Sequence, residues 1–102
     1  MSWFVEYHNI YEDAIKDGLT GLLNHKTFID RAREEIERAR RFQHQLVFLI
    51  YDLDKFKRIN DTLGHPYGDY VIKTTAQIIK ANVRSIDLVA RYGGEEFAVV
   101  LV

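Results

Sequence analysis

Near the end of the sequence a double glycine is followed at once by two acids and an aromatic, Gly93-Gly94-Glu95-Glu96-Phe97, between two short apolar runs. Two glycines permit the positive φ angles of a two-residue β-turn. They also leave the backbone bare, so a ligand could lie against it while Glu95 presents a carboxylate; a plain hairpin with solvated acids uses the same residues. A second acidic pair, Asp52 and Asp54, flanks Leu53 at the carboxyl end of the apolar run Leu46-Val47-Phe48-Leu49-Ile50-Tyr51. Open sheets covered by helices hold ligands at such strand ends. A strand that turns acidic needs a reason, because an unpaired buried carboxylate is costly; simple exposure at the strand end would be one. The other is a hard-cation site, in which Asp52 and an opposing Glu95 supply oxygen ligands suited to Mg²⁺, an ion that takes one or two carboxylates together with water and substrate phosphates.

Directly after the strand, Asp54-Lys55-Phe56-Lys57-Arg58 opens a helix. The unpaired amides of a helix start can seat a phosphate, and Lys57 or Arg58 could add charge. Asn60 and Asp69 follow. A carboxylate can accept from N1 and N2 of guanine while a side-chain amide bonds the rest of that edge. Taken singly, each also reads as an ordinary helix-end residue, since Asn60-Asp61 ends one helix and Asp69 lies in the first turn of another.

The elements that must position these groups follow from periodicity. Trp3, Tyr7, Ile10 and Ala14 recur at helical spacing among acids, so residues 2 to 16 read as an amphipathic helix, packed on its own domain or paired with a helix from a partner. Asp17-Gly18 ends it, and 19 to 24 form a loop with Asn24 as helix cap. The next helix runs from about His25 to Phe42, with a buried stripe of Phe28, Ile29, Ala32, Ile36 and Ala39 and an opposite face of paired arginines and glutamates. The apolar run that ends at Tyr51 has the pattern of a central strand buried on both faces. A short helix over 55 to 62, a turn at Gly64-His65-Pro66 and a helix over 67 to 83 burying Val71, Ile72, Ala76, Ile79 and Val83 come next. Residues 88 to 92 and 97 to 102 are the arms of the glycine hairpin. This order predicts an α+β domain with helices covering a sheet.

Composition sets the bounds. The 102 residues allow one domain, and 47% apolar with 28% charged is ordinary for a globular fold. With 14 Lys+Arg against 15 Asp+Glu there is no broad basic footprint, so nucleic acid is not expected as a partner and any phosphate binding must be local. The absence of cysteine excludes a disulfide framework and a thiolate metal site, and suits a reducing cytoplasm. No apolar run approaches a membrane span, and the first residues lack the pattern of a signal peptide.

Four segments in order resemble the GGDEF family of diguanylate cyclases. Asp17-Gly18-Leu19-Thr20-Gly21-Leu22-Leu23-Asn24 is similar to the family's D-x-L-T-G-L-x-N opening. Asp52-Leu53-Asp54-Lys55-Phe56-Lys57-Arg58-Ile59-Asn60-Asp61 is similar to D-[IL]-D-x-F-K-x-I-N-D. Gly64-His65-Pro66-Tyr67-Gly68-Asp69 matches G-H-x-x-G-D, and Arg91-Tyr92-Gly93-Gly94-Glu95-Glu96-Phe97 matches the signature in its GGEEF form. The resemblance runs from Asp17 to Val102, which makes 1–16 a linker helix and 17–102 the domain.

The resemblance implies a ferredoxin-like nucleotidyl-cyclase palm whose antiparallel hairpin carries GGEEF. It also implies condensation of two GTP into cyclic di-GMP by two domains that face each other, so a homodimer is expected, with an upstream sensor domain in the parent protein. Asp52, Glu95 and the Leu53 backbone carbonyl would bind Mg²⁺ or Mn²⁺. Asn60 and Asp69 would hold guanine, with His65 in the same substrate-binding group; backbone amides around Phe56 and Lys57 would seat the outer phosphates; Gly94 would let the nucleotide come close; and Glu95 would help deprotonate the attacking 3′-hydroxyl. Arg84-Ser85-Ile86-Asp87 resembles the family's R-x-x-D product-inhibition site, where Arg84 and Asp87 would hold cyclic di-GMP; a helix-end ion pair is the structural alternative. His25 stands where members commonly carry arginine, with little consequence expected for catalysis. The resemblance further implies that the fold is incomplete at its C-terminus, lacking a last helix-and-strand portion. The fragment would then be weakly active or inactive, with an apolar sheet edge open to a second copy or to an element swap. The rival reading is a regulatory or dimerisation module that binds GTP or cyclic di-GMP without turnover.

Overall fold

The computed structural model describes residues 14–102, so the helix expected over 2 to 16 lies almost wholly outside the described residues; its last positions Ala14 and Ile15 are helical. Helix α1 (His25–Phe42) begins where expected, because the Asn24 side chain accepts from the Thr27 amide at 2.9 Å. It ends at Gln43 in the left-handed conformation, whose N–H bonds the Ala39 carbonyl. Phe28, Ala32 and Ala39 are buried as the stripe predicts, but Ile36 is 47% exposed and packs on neither core cluster.

Strands β1 (Val47–Asp52), β2 (Leu88–Arg91) and β3 (Glu96–Leu101) form an antiparallel sheet in the order β1-β3-β2. The central buried strand is therefore β3, and the expectation that the run before Asp52 is buried on both faces is corrected. In β1 Leu49 alone is half-buried, while Val47, Phe48, Ile50 and Tyr51 are exposed. The helices pack mainly over β2, while β1 pairs with β3 along one edge and reaches the core beside Ile72 and Ala76 of a following helix through Leu49. The outer edge of β2 is closed by the loop before α1: the Leu23 amide donates to the Val89 carbonyl and the Arg91 amide to the Leu23 carbonyl, at 3.1 and 3.0 Å.

Alternation along β3 builds two cores. Phe97 and Val99 point to one face, where they meet Phe56, Ile72, Ala76 and Leu22. Ala98 and Val100 point to the other, beneath Phe28 and Ala32 of α1. The small side chains of Ala90 and Ala98 let α1 and its Phe28 ring settle against the sheet. Burying a ring such as Phe97, fully enclosed, contributes on the order of 2–3 kcal/mol.

A short helix and a long one carry the residues after β1. Helix α2 (Phe56–Leu63) and helix α3 (His65–Ala81) are separated by Gly64 alone, at φ 89 and ψ 160, a region open to glycine, with Pro66 in the first turn of α3. The hairpin differs from the expected two-residue turn. Arg91 pairs with Phe97 and the Tyr92 amide donates to the Glu96 carbonyl at 2.8 Å, so Gly93, Gly94 and Glu95 span the turn, and neither glycine has a positive φ. The extra residue is accounted for by the Leu53 amide, which donates to the Glu95 carbonyl at 3.1 Å and holds Glu95 in line with the β1 ladder.

The loop from α3 to β2 is organised by one buried carboxylate. Asp87, 5% exposed, accepts from the Val102 amide at 2.9 Å and from the Arg84 amide at 2.8 Å. The Val102 amide, then the Arg84 amide and guanidinium, outweigh burial and hold its carboxyl below the usual range. A lowered folded-state pKa gives stability that is complete above the unfolded carboxylate range, near pH 4, and is lost as pH falls through the folded value. Asp87→Asn is therefore expected to destabilise the fold at neutral pH by about 1–3 kcal/mol and to make the acid limb of a melting-temperature profile shallower. Acid limbs of equal steepness in parent and variant would remove Asp87 from this role.

Candidate functional site

The carboxyl end of β1, the start of α2 and the hairpin turn surround an open recess of about 340 Å³ lined by Asp52, Leu53, Asp54, Lys55, Phe56, Lys57 and Glu95. Asp52 and Glu96 are register partners at the end of the β1–β3 ladder. One step further, the Leu53 amide bonds the Glu95 carbonyl, which sets Glu95 beside the strand end that carries Asp52. Two acids distant in sequence thus line one recess. Among the described residues, Asp52, Asp54 and Glu95 form no ion pair, and no three His, Cys, Asp or Glu side chains gather as a ready metal cluster. The lining offers three carboxylates, Asp52, Asp54 and Glu95, and backbone carbonyls, so its anionic donors are all oxygen. That set fits a hard divalent cation that completes its shell with water and phosphate, rather than a fully protein-caged one.

Lys55 enters α2 in the left-handed conformation, φ 57 and ψ 28, and gives no side-chain cap, so the first-turn amides of Phe56 and Lys57 keep their hydrogens at the recess wall. The Phe56 ring is turned away into the core at 7% exposure, which leaves its backbone as the part available to a ligand. Further along, the Asn60 amide oxygen is buried without a hydrogen-bond partner, an unusual state for a side-chain amide. It lies against Gly68 of α3, where a Cβ would stand 1.8 Å from it. Asp69, the next residue, is exposed, as is His65 at the head of α3.

Gly94 has open space where a Cβ would be, and its φ does not require glycine. Its carbonyl is gripped by Arg91, through Nε at 3.1 Å and Nη2 at 2.8 Å. The same guanidinium reaches Asp17 Oδ1 at 3.2 Å. Burial works against the charged form of Asp17, but the Thr20 hydroxyl and amide and the Arg91 guanidinium together outweigh it and lower its pKa. The base of the hairpin is held from the other side by His25, whose Nδ1 lies 2.8 Å from the Tyr92 carbonyl and whose ring stacks on Tyr92 at 4.2 Å. A carbonyl can accept only, so Nδ1 carries the proton. Asp17 and Arg91 lie in the first and last sequence motifs, and their opposite charges are the signal that could pair them; nothing in the sequence marks His25, just past the first motif, as a hairpin contact.

Arg84 and Asp87 stand apart from the recess. Both Asp87 oxygens are engaged by backbone amides, and its Oδ1 lies 3.6 Å from an Arg84 guanidinium nitrogen. The Arg84 guanidinium, 65% exposed, also donates to the Val102 carbonyl. The helix-end ion pair is thus present, and Arg84 is the member of the pair that reaches solvent.

Comparison with known proteins places this architecture. The family model described as "Diguanylate cyclase, GGDEF domain" matches residues 14–102. The chain is 38% identical over 96 residues to probable diguanylate cyclase DgcJ of Escherichia coli K12, covering 94% of this chain and 19% of that one. It is 43% identical over 90 residues to response regulator PleD of Caulobacter vibrioides, covering 88% and 20%. Among solved structures, the GGDEF domain of DgcB from Caulobacter crescentus, in complex with c-di-GMP, superposes with a TM-score of 0.84 at 40% identity, covering 86% of this chain and 50% of that one. The same protein's coiled coil and GGDEF domain, also with c-di-GMP, gives 0.91 at 34% identity, covering 97% and 52%. The chain therefore spans about a fifth of these curated relatives and half of these solved chains. It belongs to the GGDEF domain family.

The Arg91 grip makes a measurable claim. Arg91→Met is expected to speed amide hydrogen exchange at Gly93 and Leu53, whose N–H groups bond the Glu96 and Glu95 carbonyls, severalfold more than in the β3 core, with a stability loss of about 1–2 kcal/mol. Exchange raised evenly over the whole sheet would show a general loss of stability instead of a released turn.

Proposed function

We propose that this GGDEF domain is the GTP-holding part of a diguanylate cyclase, in which two domains, each carrying one GTP, form cyclic di-GMP and release two pyrophosphates. What supports the reading is the Leu53 to Glu95 hydrogen bond, which brings Asp52 and Glu95 to one recess beside the open amides of Phe56 and Lys57. In each step the 3′-oxygen of one GTP forms a bond to the α-phosphorus of the other, and the bond to pyrophosphate breaks. The hydroxyl proton goes to Glu95. Mg²⁺ or Mn²⁺, when bound, would neutralise charge on the phosphates and ease loss of that proton. Asp52, Glu95 and the Leu53 carbonyl would hold it.

The amides of Phe56 and Lys57 would bind the outer phosphates, as helix starts do. Asn60 and Asp69 would take the guanine edge, with His65 at the same helix head near the substrate. Gly94, glycine without need of a special φ and without a neighbour to avoid, is suited to a nucleotide lying against it. Arg84 would reach cyclic di-GMP at a product-inhibition site, with Asp87 ordering the loop beneath it. An upstream sensor domain would govern how two such domains approach. Among the described residues no helix is long and apolar enough to cross a membrane; a cytoplasmic setting fits GTP as substrate.

Incubation with GTP and Mg²⁺, with products resolved chromatographically, tests this directly. Glu95→Gln is expected to cut cyclic di-GMP formation by about 10²-fold or more while GTP still binds. Binding without conversion in the parent chain would favour a regulatory module instead. The apolar β1 edge, with Phe48 48% and Ile50 61% exposed, should make the 102-residue chain associate with a second copy. Light scattering should then give a mass that rises with concentration; a clean monomer throughout the micromolar to millimolar range would count against it.

A further inference from the structure

Gly68 sits inside helix α3, where glycine costs about 1 kcal/mol relative to alanine. Its backbone gives no reason for that cost, since its φ is not positive. Its surroundings do. A Cβ at this position would lie 1.8 Å from Asn60 Oδ1, 2.9 Å from Asn60 Cγ and 3.1 Å from Cζ of Phe56. The Phe56 ring is enclosed in the core and cannot withdraw. The Asn60 side chain would have to leave its seat. That seat holds the amide by shape alone, because its buried oxygen has no hydrogen-bond partner. With one end of the amide pressed against Gly68, the other end is left for a ligand, next to the residue that precedes Asp69 in the chain.

We infer that Gly68 is a positioning residue for base recognition: its missing side chain is the space that fixes the Asn60 amide in register with Asp69, so that together they select guanine. This rests on the assignment of Asn60 and Asp69 to guanine proposed above, and the experiment separates the two. Binding of GTP and of ATP to the 102-residue chain in Mg²⁺ is measured by titration calorimetry for the parent, Gly68→Ala, Asn60→Ala and the double variant. Gly68→Ala is expected to weaken GTP about tenfold, the equivalent of one hydrogen bond, and to leave ATP unchanged. Asn60→Ala should do the same. The double variant should bind GTP no more weakly than Asn60→Ala, because alanine at 68 then has no amide left to displace.

Equal losses for GTP and ATP, a full second tenfold loss in the double variant, or unchanged GTP binding in Gly68→Ala would each overturn the inference while the guanine assignment stands. An Asn60→Ala variant with the parent's GTP-to-ATP ratio would overturn the assignment itself and this inference with it. Should Gly68→Ala alone fail to fold, the double variant decides: folding with the affinity of Asn60→Ala supports the role, and failure to fold refutes it.

Discussion

The arrangement at the recess depends on how far the β1–β3 ladder extends. The strands pair from Val47 with Leu101 to Asp52 with Glu96, and the Leu53 amide adds one more bond, to the Glu95 carbonyl. That last bond fixes the spacing between the two acids more tightly than either side chain could. Phe97, Ala98, Val99 and Val100 are all buried, so the strand that carries the turn is firmly anchored in the core.

The turn is also held from behind, by groups that do not touch the recess lining. Arg91 bridges the Gly94 carbonyl and the Asp17 carboxylate, and His25 bonds the Tyr92 carbonyl. Bonds of this sort to backbone carbonyls restrict the main chain while leaving the Glu95 side chain clear. A flexible glycine turn is thereby made rigid by its neighbours, which matters where a carboxylate must meet a ligand within a few tenths of an ångström.

Much of this is legible in the sequence. The Asn24 cap, the extents of α1 and, to within a residue, of α2, and the hairpin arms follow from local signals that the fold did not overrule, whereas α3 starts two residues before the expected point, at His65, and stops at Ala81 with Val83 outside it. The identity of the central strand does not follow from such signals. Both apolar runs, before Asp52 and after Glu96, are continuous, and a pattern without alternation cannot say which has neighbours on two edges. The length of the Gly93-Gly94 turn is not legible locally, because it is set by Leu53, a partner far away in sequence. The same applies to the Asp17–Arg91 pair, separated by 74 positions. Asp87 was legible as one half of a charged pair, but not as a carboxylate already spent on two backbone amides.

Asn24 does more than cap a helix. While its Oδ1 accepts from Thr27, its Nδ2 donates to the Ala14 carbonyl at 3.0 Å and its backbone amide to the Ile15 carbonyl, also at 3.0 Å. One residue therefore clasps the incoming helical segment to the head of α1. A joint stitched by three bonds does not act as a free swivel, so Ala14 and Ile15 are held in fixed relation to α1 and, through His25, to the Tyr92 carbonyl at the root of the glycine hairpin.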